Sequence, residues 1–269
     1  MAWNERPLIL VTCDDGIDSP GLRAAAQAVQ PLGEVIISAP YEQQTGAGRS
    51  LPTRSDGAIY EIDYRLGDRQ IPAYALYGSP AQAVLYALVE LVPRRPALCV
   101  SGINFGENVG SSVTASGTVG AALEAADEGI PALAVSLETD KKYHYQHSEQ
   151  VDFTTAAYFT HYFAARMLTR RMPADVDLLK VEVPCTATPA TPWRVTRQSR
   201  QRYYRALPSG RRTLTEKRRL DYEMAIDHAT LEPDSDICAV LVDRVVAVTP
   251  LSLDLTSRVA LDELEALLR

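Results

Sequence analysis

Two adjacent carboxylates, Asp14 and Asp15, are the residues of this sequence best suited to chemistry. They follow an apolar run at residues 8–11 and precede Gly16. Such a run is typical of a strand buried in a parallel sheet, and open α/β sheets bind ligands at the carboxyl ends of their strands. A tight turn at Gly16 would bring both acids to one site. A solvated Asp-Asp-Gly turn fits this stretch alone equally well.

Polar residues also follow two other predicted strands. Thr45 and Gly46 come after the apolar run at 34–40, and Asn104 comes after the run at 97–101. Parallel strands end along one edge of a sheet, so these side chains can converge with the acids. Two carboxylates, a hydroxyl and an amide oxygen form an all-oxygen set. That set suits Mg²⁺ or Mn²⁺, with water and phosphate as further ligands.

A long glycine- and serine-rich loop is predicted over residues 102–118. It ends in Ser116, Gly117 and Thr118, directly before a predicted helix. Because the N–H groups at a helix start bind anions, a phosphate is expected there. A metal beside a phosphate indicates hydrolysis of a phosphoryl group, with the ion acting as Lewis acid and water activator. The alternatives are an idle surface loop and a Thr45 that only hydrogen-bonds its own backbone.

The order of predicted elements indicates an α/β core with a mostly parallel sheet flanked by helices. Predicted strands cover residues 8–12, 34–40, 58–64, 71–77, 97–101, 131–137 and 178–183. Predicted helices cover residues 20–30, 80–92, 119–128 and 152–170. Two of the helices begin with Ser-Pro, a pair typical of an N-cap followed by the first helical residue. Residues 1–184 are therefore predicted to form the core domain.

A β-rich extension is predicted over residues 185–269. Alternating residues from 193 to 204 and a turn at 207–210 indicate one hairpin. Short apolar runs at 238–241 and 245–248, joined through Asp243 and Arg244, indicate a second hairpin, and residues 259–268 a closing helix.

The charge is unevenly distributed along the 269 residues. Residues 194–219, here called the basic segment, contain ten of the 27 basic residues and a single acid, which gives this segment a net charge of +9. The total of −7 leaves −16 for the remainder and argues against a general nucleic-acid or membrane binder. Arginines interleaved with aromatics would suit a nucleic-acid ribbon. The acidic remainder favours an arm that pairs with a second copy of the chain.

The spacing of the cysteines and the hydrophobicity of the chain indicate the cellular compartment. Four cysteines are widely spaced without a C-x-x-C pair, which favours a reducing compartment. Neither a signal peptide nor an apolar run of membrane-spanning length is evident, so a cytoplasmic protein is expected.

The histidines are scattered. His144 and His147 have a spacing that suits a metal on a helix, yet both fall in a predicted loop without a third ligand. These two, with His161 and His228, are interpreted as surface residues. A flap over the site that contributes Tyr143 or His144 is the alternative.

Several motifs occur in the order and at the spacing that the SurE family uses, and on these residues the chain resembles that family. They are Asp14-Asp15-Gly16-Ile17, Gln44-Thr45-Gly46-Ala47, Ser101-Gly102-Ile103-Asn104, Ser116-Gly117-Thr118-Val119 and Val248-Thr249-Pro250-Leu251. The resemblance implies a Rossmann-like fold whose C-terminal hairpin is exchanged between the subunits of a dimer. It also implies a divalent-metal-dependent phosphatase of nucleoside 5′- and 3′-monophosphates. The resemblance is strong over residues 8–137 and thin over 185–237.

The resemblance assigns roles to individual residues. Asp14, Asp15, Thr45 and Asn104 match the family's four metal ligands, with the two acids also at the centre of the catalysis. Phosphate or substrate would be bound at Gly46, Asn108, Ser116, Gly117 and Thr118. Three residues depart from the pattern: Cys13 replaces a usual asparagine, Thr45 a usual serine and Phe105 a usual basic residue.

The function predicted from the sequence is that of a metal-dependent 5′/3′-nucleotidase. One divalent cation, Mg²⁺ or Mn²⁺, would be held per subunit, and the chain would form a homo-oligomer through its C-terminal hairpin. A phosphatase for another small phosphomonoester or a short polyphosphate is the alternative within enzymes. A non-catalytic interaction protein that uses the basic segment is the alternative outside them.

Overall fold

A single large sheet organises the protein. The computed structural model describes residues 6–144, 148–208, 210–211, 213–218 and 220–269. The strands are β1 (Leu8–Thr12), β2 (Glu34–Pro40), β3 (Ile59–Glu61), β4 (Tyr64–Leu66), β5 (Arg69–Ile71), β6 (Ala73–Leu76), β7 (Leu98–Phe105), β8 (Ala132–Leu137), β9 (Leu178–Val183), β10 (Trp193–Val195), β11 (Tyr204–Ala206), β12 (Tyr222–Met224) and β13 (Val246–Leu251). Within the described residues, nine of them form one sheet in the order β10-β13-β9-β8-β7-β1-β2-β6-β3. The six strands from β9 to β6 run parallel, which confirms the predicted fold class.

Helices cover both faces of the sheet. They are α1 (Pro20–Val29), α2 (Pro80–Tyr86), α3 (Gly117–Asp127), α4 (Thr154–Thr169) and α5 (Leu261–Leu268). Helices α1 and α4 pack together on one face, and α2 and α3 pack together on the other. The predicted Ser-Pro starts are confirmed, because the hydroxyls of Ser19 and Ser79 accept hydrogen bonds from the first turns of α1 and α2.

Strand β7 is longer than predicted. The loop expected to begin at Gly102 begins only after Phe105, and residues 110–115 form a 3₁₀ turn. The register of β7 against β8 shifts between Ser101 and Asn104, and Gly102 within the shift has φ +131°. A side chain at Gly102 would approach the Val135 carbonyl oxygen to 2.3 Å. Glycine in a strand is typical of such irregularities, so the prediction of a loop from Gly102 is wrong: the polar residues 101–104 continue the strand.

In place of the two strands predicted at 58–64 and 71–77, the structure has the four shorter strands β3 to β6. β3 and β6 pair antiparallel in the main sheet, and β4 and β5 form a separate hairpin.

Both predicted C-terminal hairpins are wrong in detail. β10 lies parallel to β13 in the main sheet, and the hairpin pairs β11 with β12 instead. The second predicted hairpin is absent from the described chain: residues 238–242 form a π-helical turn, and β13 pairs antiparallel with β9. A short apolar run fits a buried helical turn as well as a strand, and pairing between distant strands leaves no local signal.

Two strands from beyond residue 184 therefore lie in the core sheet. The predicted division into 1–184 and 185–269 stays a prediction about folding units.

Helix α5 ends the chain outside the core. Its residues are exposed, including Leu261, Leu264, Leu267 and Leu268. Among the helices described, none combines the length and apolar character needed to cross a membrane.

Candidate active site

The carboxyl ends of β1, β2 and β7 meet at a cavity of about 300 Å³. Of the residues predicted to bind metal or phosphate, Asp14, Thr45, Gly46, Asn104, Asn108 and Ser116 line it. The chain crosses from β1 into this edge through Gly16, whose φ of +93° provides the predicted tight turn. The predicted convergence of three strand ends is therefore present.

Asp14 is a buried acid at the floor of the cavity, with 4% of its surface exposed. Its Oδ1 accepts a hydrogen bond from the Thr118 hydroxyl at 2.5 Å. Among the described residues, no lysine or arginine forms an ion pair with Asp14. Burial and the adjacent charge of Asp15 raise the pKa of Asp14 to about 7.

Asp15 lies behind Asp14 and is almost fully buried. Its Oδ1 accepts from the Gln43 side chain at 2.7 Å, and its Oδ2 accepts from the Phe105 backbone N–H at 3.0 Å. Burial raises the pKa of Asp15 to about 6, although these hydrogen bonds oppose the shift. Gln43 also donates to the His144 carbonyl oxygen at 2.9 Å, so it joins the acids to the segment above them.

Cys13, Asp14 and Asp15 each place a potential ligand atom within 4.8 Å of the others. Burial, followed by the two carboxylates, raises the pKa of the Cys13 thiol well above its usual range. The protonated thiol donates to Asp15 Oδ2 at 3.7 Å. A neutral thiol is a poor ligand for a hard cation, whereas the oxygen atoms nearby are good ones. The donor set therefore fits a divalent hard metal with Cys13 as a supporting residue.

Asn104 presents its amide to the cavity in a defined orientation. Its Nδ2 donates to the Gly106 carbonyl oxygen at 2.7 Å, which leaves Oδ1 as the atom available for a ligand. Phe105 borders the cavity, and its ring packs edge-on against Phe153 at 4.9 Å between centroids. Phe105, which takes the place of a basic residue, therefore packs in the hydrophobic core at this edge of the sheet.

Asn108 is held by its neighbours on the loop after β7. Its Nδ2 donates to the Ser136 hydroxyl at 3.0 Å, and its backbone N–H donates to Glu182 at 2.9 Å.

The start of α3 is built around Asp14. The Ser116 hydroxyl accepts from the Val119 N–H at 3.1 Å and so caps the helix. A Cβ at Gly117 would lie 2.7 Å from the Asp14 Cβ, so only glycine allows this approach. Of the three residues predicted to bind phosphate here, Ser116 lines the cavity, whereas Gly117 and Thr118 lie against Asp14.

Another part of the cavity wall is formed by residues outside the parallel core. The composition of the sequence predicted only some of these residues. Arg202, Tyr204 and Tyr222 line this wall, and Arg202 is an exposed residue of the basic segment. Glu107, on the loop after β7, also lines the cavity, where it accepts a hydrogen bond from the Tyr204 hydroxyl, and it was not predicted. The aromatic and basic content of the segment was the available signal for Arg202 and Tyr204, whereas nothing local identified Glu107.

His144 also lines the cavity and is 9% exposed, so its interpretation as a surface residue is wrong. Its Nδ1 shares a hydrogen bond with the Tyr222 hydroxyl at 2.8 Å. Burial lowers the pKa of His144. His161 instead contacts the Ala28 carbonyl oxygen on α1, His228 is exposed, and His147 lies outside the described residues.

Comparison with known proteins fits this geometry. The family model "Survival protein SurE" matches residues 9–205. The chain belongs to the SurE family. It is 39% identical over 267 residues to the 5′-nucleotidase SurE of Thermococcus gammatolerans, with 97% of this chain and 95% of that protein covered. It is 46% identical over 180 residues to the 5′-nucleotidase SurE of Methanothermobacter thermautotrophicus, with 65% and 67% covered.

A solved SurE structure supports the same assignment. The crystal structure of the SurE protein from Aquifex aeolicus superposes with a TM-score of 0.77 at 30% identity, with 98% of this chain and all of that chain covered. The SurE match spans every residue predicted to bind metal or phosphate, from Asp14 to Thr118.

Proposed function

We propose that this chain is a divalent-metal-dependent phosphomonoesterase that hydrolyses nucleoside 5′- and 3′-monophosphates to nucleoside and phosphate. The observation that carries the proposal is Asp14: a buried carboxylate at a cavity of about 300 Å³, without a described basic residue paired to it. Such a charge is costly unless a cation neutralises it. Membership of the SurE family, and relatives named 5′-nucleotidase, support the choice of substrate.

Asp14, Asp15, Thr45 and Asn104 would hold one Mg²⁺ or Mn²⁺ per subunit. When bound, the ion would act as a Lewis acid on a phosphate oxygen and lower the pKa of a water. Thr118 fixes the orientation of Asp14, and Gln43 that of Asp15.

Gly46, Asn108 and the start of α3 at Ser116, Gly117 and Thr118 would bind the phosphate. The positive end of a helix dipole favours an anion there. Arg202 also lines the cavity and would supply it with a positive charge that Phe105 does not.

Attack by water is the route that two ligand acids favour, since both carboxylates would be occupied in holding the metal. An aspartyl-phosphate intermediate on Asp14 or Asp15 is the other route. Rapid quenching of the wild type with labelled substrate tests this, with Asp15→Asn as the variant unable to form the adduct there. A covalent phosphoenzyme in the wild type would contradict attack by water.

Hydrolysis of p-nitrophenyl phosphate with EDTA, and then with added Mn²⁺, tests the activity. Turnover should require the metal and should fall at least about 10³-fold in Asp14→Asn, a loss of transition-state stabilisation near 4 kcal/mol. Asp18→Asn makes the same change at an exposed aspartate close by and should keep the activity. Without metal-dependent turnover in the wild type, a non-catalytic interaction protein would be the better interpretation.

A panel of mononucleotides and short polyphosphates then identifies the substrate. Nucleoside monophosphates should be preferred. Preference for another phosphomonoester or for polyphosphate would favour the alternative enzyme.

The proposal also includes a cytoplasmic location and a homo-oligomer formed through the C-terminal hairpin. The net positive charge of the basic segment and the net negative charge of the remainder support assembly of two or more copies.

A further inference from the structure

The Glu107 carboxylate is buried, and within the described residues only one of its two oxygens accepts a hydrogen bond. Its Oε1 accepts from the Tyr203 hydroxyl at 2.5 Å and from the Tyr204 hydroxyl at 3.0 Å. Its Oε2 is buried without a hydrogen-bond partner among the described residues, although the side chain is only 5% exposed. No described lysine or arginine forms an ion pair with it. A buried acceptor without a hydrogen bond is destabilising, and a donor group on a bound ligand would remove this cost by bonding to it.

The two tyrosines hold this carboxylate in one orientation. Tyr203 is fully buried, and Tyr204 belongs to β11 of the hairpin. Burial and the charge of Glu107 raise the pKa of both hydroxyls, so each remains a donor. Two donors on Oε1 fix the plane of the carboxylate, and Glu107 lines the same cavity as Asp14. Oε2 is therefore a preorganised, unpaired acceptor on a residue that lines the substrate cavity.

The position of Glu107 along the chain selects the part of the substrate that it meets. It lies three residues after Asn104, and three residues of chain span at most about 10 Å. Asn104 is at the end of the cavity where metal and phosphate are proposed. In a nucleoside monophosphate the group next to the phosphate is the sugar, whose hydroxyls are hydrogen-bond donors.

We infer that Glu107 is a specificity-determining residue that accepts a hydrogen bond from a sugar hydroxyl of the nucleotide through Oε2. Tyr203 and Tyr204 are its positioning residues. The inference rests on the proposed nucleotidase function and adds to it a means of distinguishing ribonucleotides from deoxynucleotides. A site built around an acceptor discriminates against substrates that lack the donor, because the acceptor is then left buried and unpaired.

Steady-state kinetics on four substrates tests the inference. These are adenosine 5′-monophosphate, its 2′-deoxy and 3′-deoxy analogues, and p-nitrophenyl phosphate, which has no sugar. In the wild type, loss of the hydroxyl that Glu107 contacts should lower kcat/KM about 10- to 100-fold, the effect of a hydrogen bond to a charged acceptor. Glu107→Gln keeps an oxygen for the tyrosines but removes the charge, and should reduce that ratio to about threefold or less. Its turnover of p-nitrophenyl phosphate, which has no sugar, should fall by a smaller factor than its turnover of adenosine 5′-monophosphate.

Two further variants separate recognition from a structural role. Glu107→Ala removes the acceptor altogether and should also lose the discrimination. Glu90→Gln makes the same chemical change at an exposed glutamate outside the cavity and should behave as wild type.

The inference is overturned if the wild type uses all three nucleotides equally, or if Glu107→Gln retains the discrimination. It is also overturned if Glu107→Gln loses p-nitrophenyl phosphate turnover to the same extent, which would indicate a structural or metal-related role. A shift in preference among bases, rather than among sugars, would place Glu107 at the base. Failure of the wild type to hydrolyse any of the four with added metal would be a failure of the proposed function, which is a different result from these.

Discussion

The pKa values of Asp14 and Asp15 affect how the folding stability of the metal-free protein depends on pH. Burial raises them to about 7 and about 6, from 3.8 in an unfolded chain. The unfolded chain therefore ionises at lower pH than the native one. The stabilising contribution of the protonated acids is fully present below pH 3.8 and is lost as the pH rises through 6 to 7. A divalent cation needs the ionised forms, so it replaces the proton as the pH rises.

Thermal stabilisation by Mn²⁺ should consequently be large at pH 8 and small at pH 5.5. At 100 times its dissociation constant a ligand stabilises by about 2.7 kcal/mol. For a chain of this size that corresponds to a rise in Tm of about 5–10 °C at pH 8. At pH 5.5 the same Mn²⁺ concentration should give less than about half of the shift. Asp14→Asn should abolish the shift at both pH values and Asp18→Asn should not. Equal shifts at the two pH values would contradict these pKa assignments.

Thr118 offers a second test, because its hydroxyl is the donor that orients Asp14. Thr118→Val keeps the shape of the side chain but removes the donor. We expect the Mn²⁺ concentration for half-maximal activity to rise about 10- to 100-fold, as for other residues that support a metal ligand. Thr118→Ser retains a hydroxyl and serves as the matched control. If the valine variant needed no more Mn²⁺ than the serine variant, Thr118 would act only in the helix start.

At the scale of elements, local patterns were sufficient wherever a strand is buried along nearly its whole length. β2 and β9 occupy the predicted residues because uninterrupted apolar runs between turn signals specify a central strand. The pattern was insufficient at residues 238–242, where five apolar or small residues form a π-helical turn. It also failed for β10, whose parallel partner β13 lies some fifty residues away. Pairing at that distance depends on the finished sheet and has no local signature.

The same distinction applies to the candidate site. Asp14 follows a strand, Asn104 lies close to the carboxyl end of one and Ser116 caps a helix, so their positions could be predicted from the order of elements. Gln43 and Glu107 are ordinary polar residues of loops, and their importance comes from contacts with residues far along the chain. Such contacts become visible only when the tertiary structure brings the loops together.

A buried charge cluster joins the core sheet to the C-terminal part of the chain. Lys180 on β9 is fully buried, and its Nζ lies 3.0 Å from Asp236 Oδ2 and 3.6 Å from Glu182 Oε1. It also donates to the Asn108 carbonyl oxygen at 2.9 Å, which links the cluster to a loop of the cavity. Removing the cation would leave two carboxylates buried without their partner.

Lys180→Met should therefore lower the free energy of unfolding by about 3–5 kcal/mol, the usual cost of breaking a buried pair. Urea denaturation followed by circular dichroism measures this. The ion pair of Asp63 with Arg65 is largely exposed, so Asp63→Asn should change stability by less than about 1 kcal/mol. If Lys180→Met lowered the free energy of unfolding by less than about 1 kcal/mol, the cluster would contribute little to holding the core sheet and the C-terminal part of the chain together.

At the scale of the whole molecule, charge is segregated rather than mixed. The basic segment carries +9 against −16 for the remainder. Part of this charge is neutralised locally, because Arg194, Arg197 and Arg205 pair with Asp243, Asp234 and Glu223. Arg211 and Lys217 are exposed and form no ion pair among the described residues, so they remain available to an acidic partner surface.

Assembly of the chain should accordingly be sensitive to salt and to these two residues. Light scattering after size-exclusion chromatography at low ionic strength should give at least twice the monomer mass of 29.5 kDa. Arg211→Glu combined with Lys217→Glu should shift the equilibrium toward the monomer, and raising the salt should weaken assembly further, because charges farther apart than about 8 Å are screened at 0.15 M. Arg171→Glu changes an exposed arginine outside the basic segment and should leave the mass unchanged. A monomeric wild type that instead binds RNA in a salt-dependent manner would identify the basic segment as a nucleic-acid surface, since counterion release is the signature of phosphate contacts.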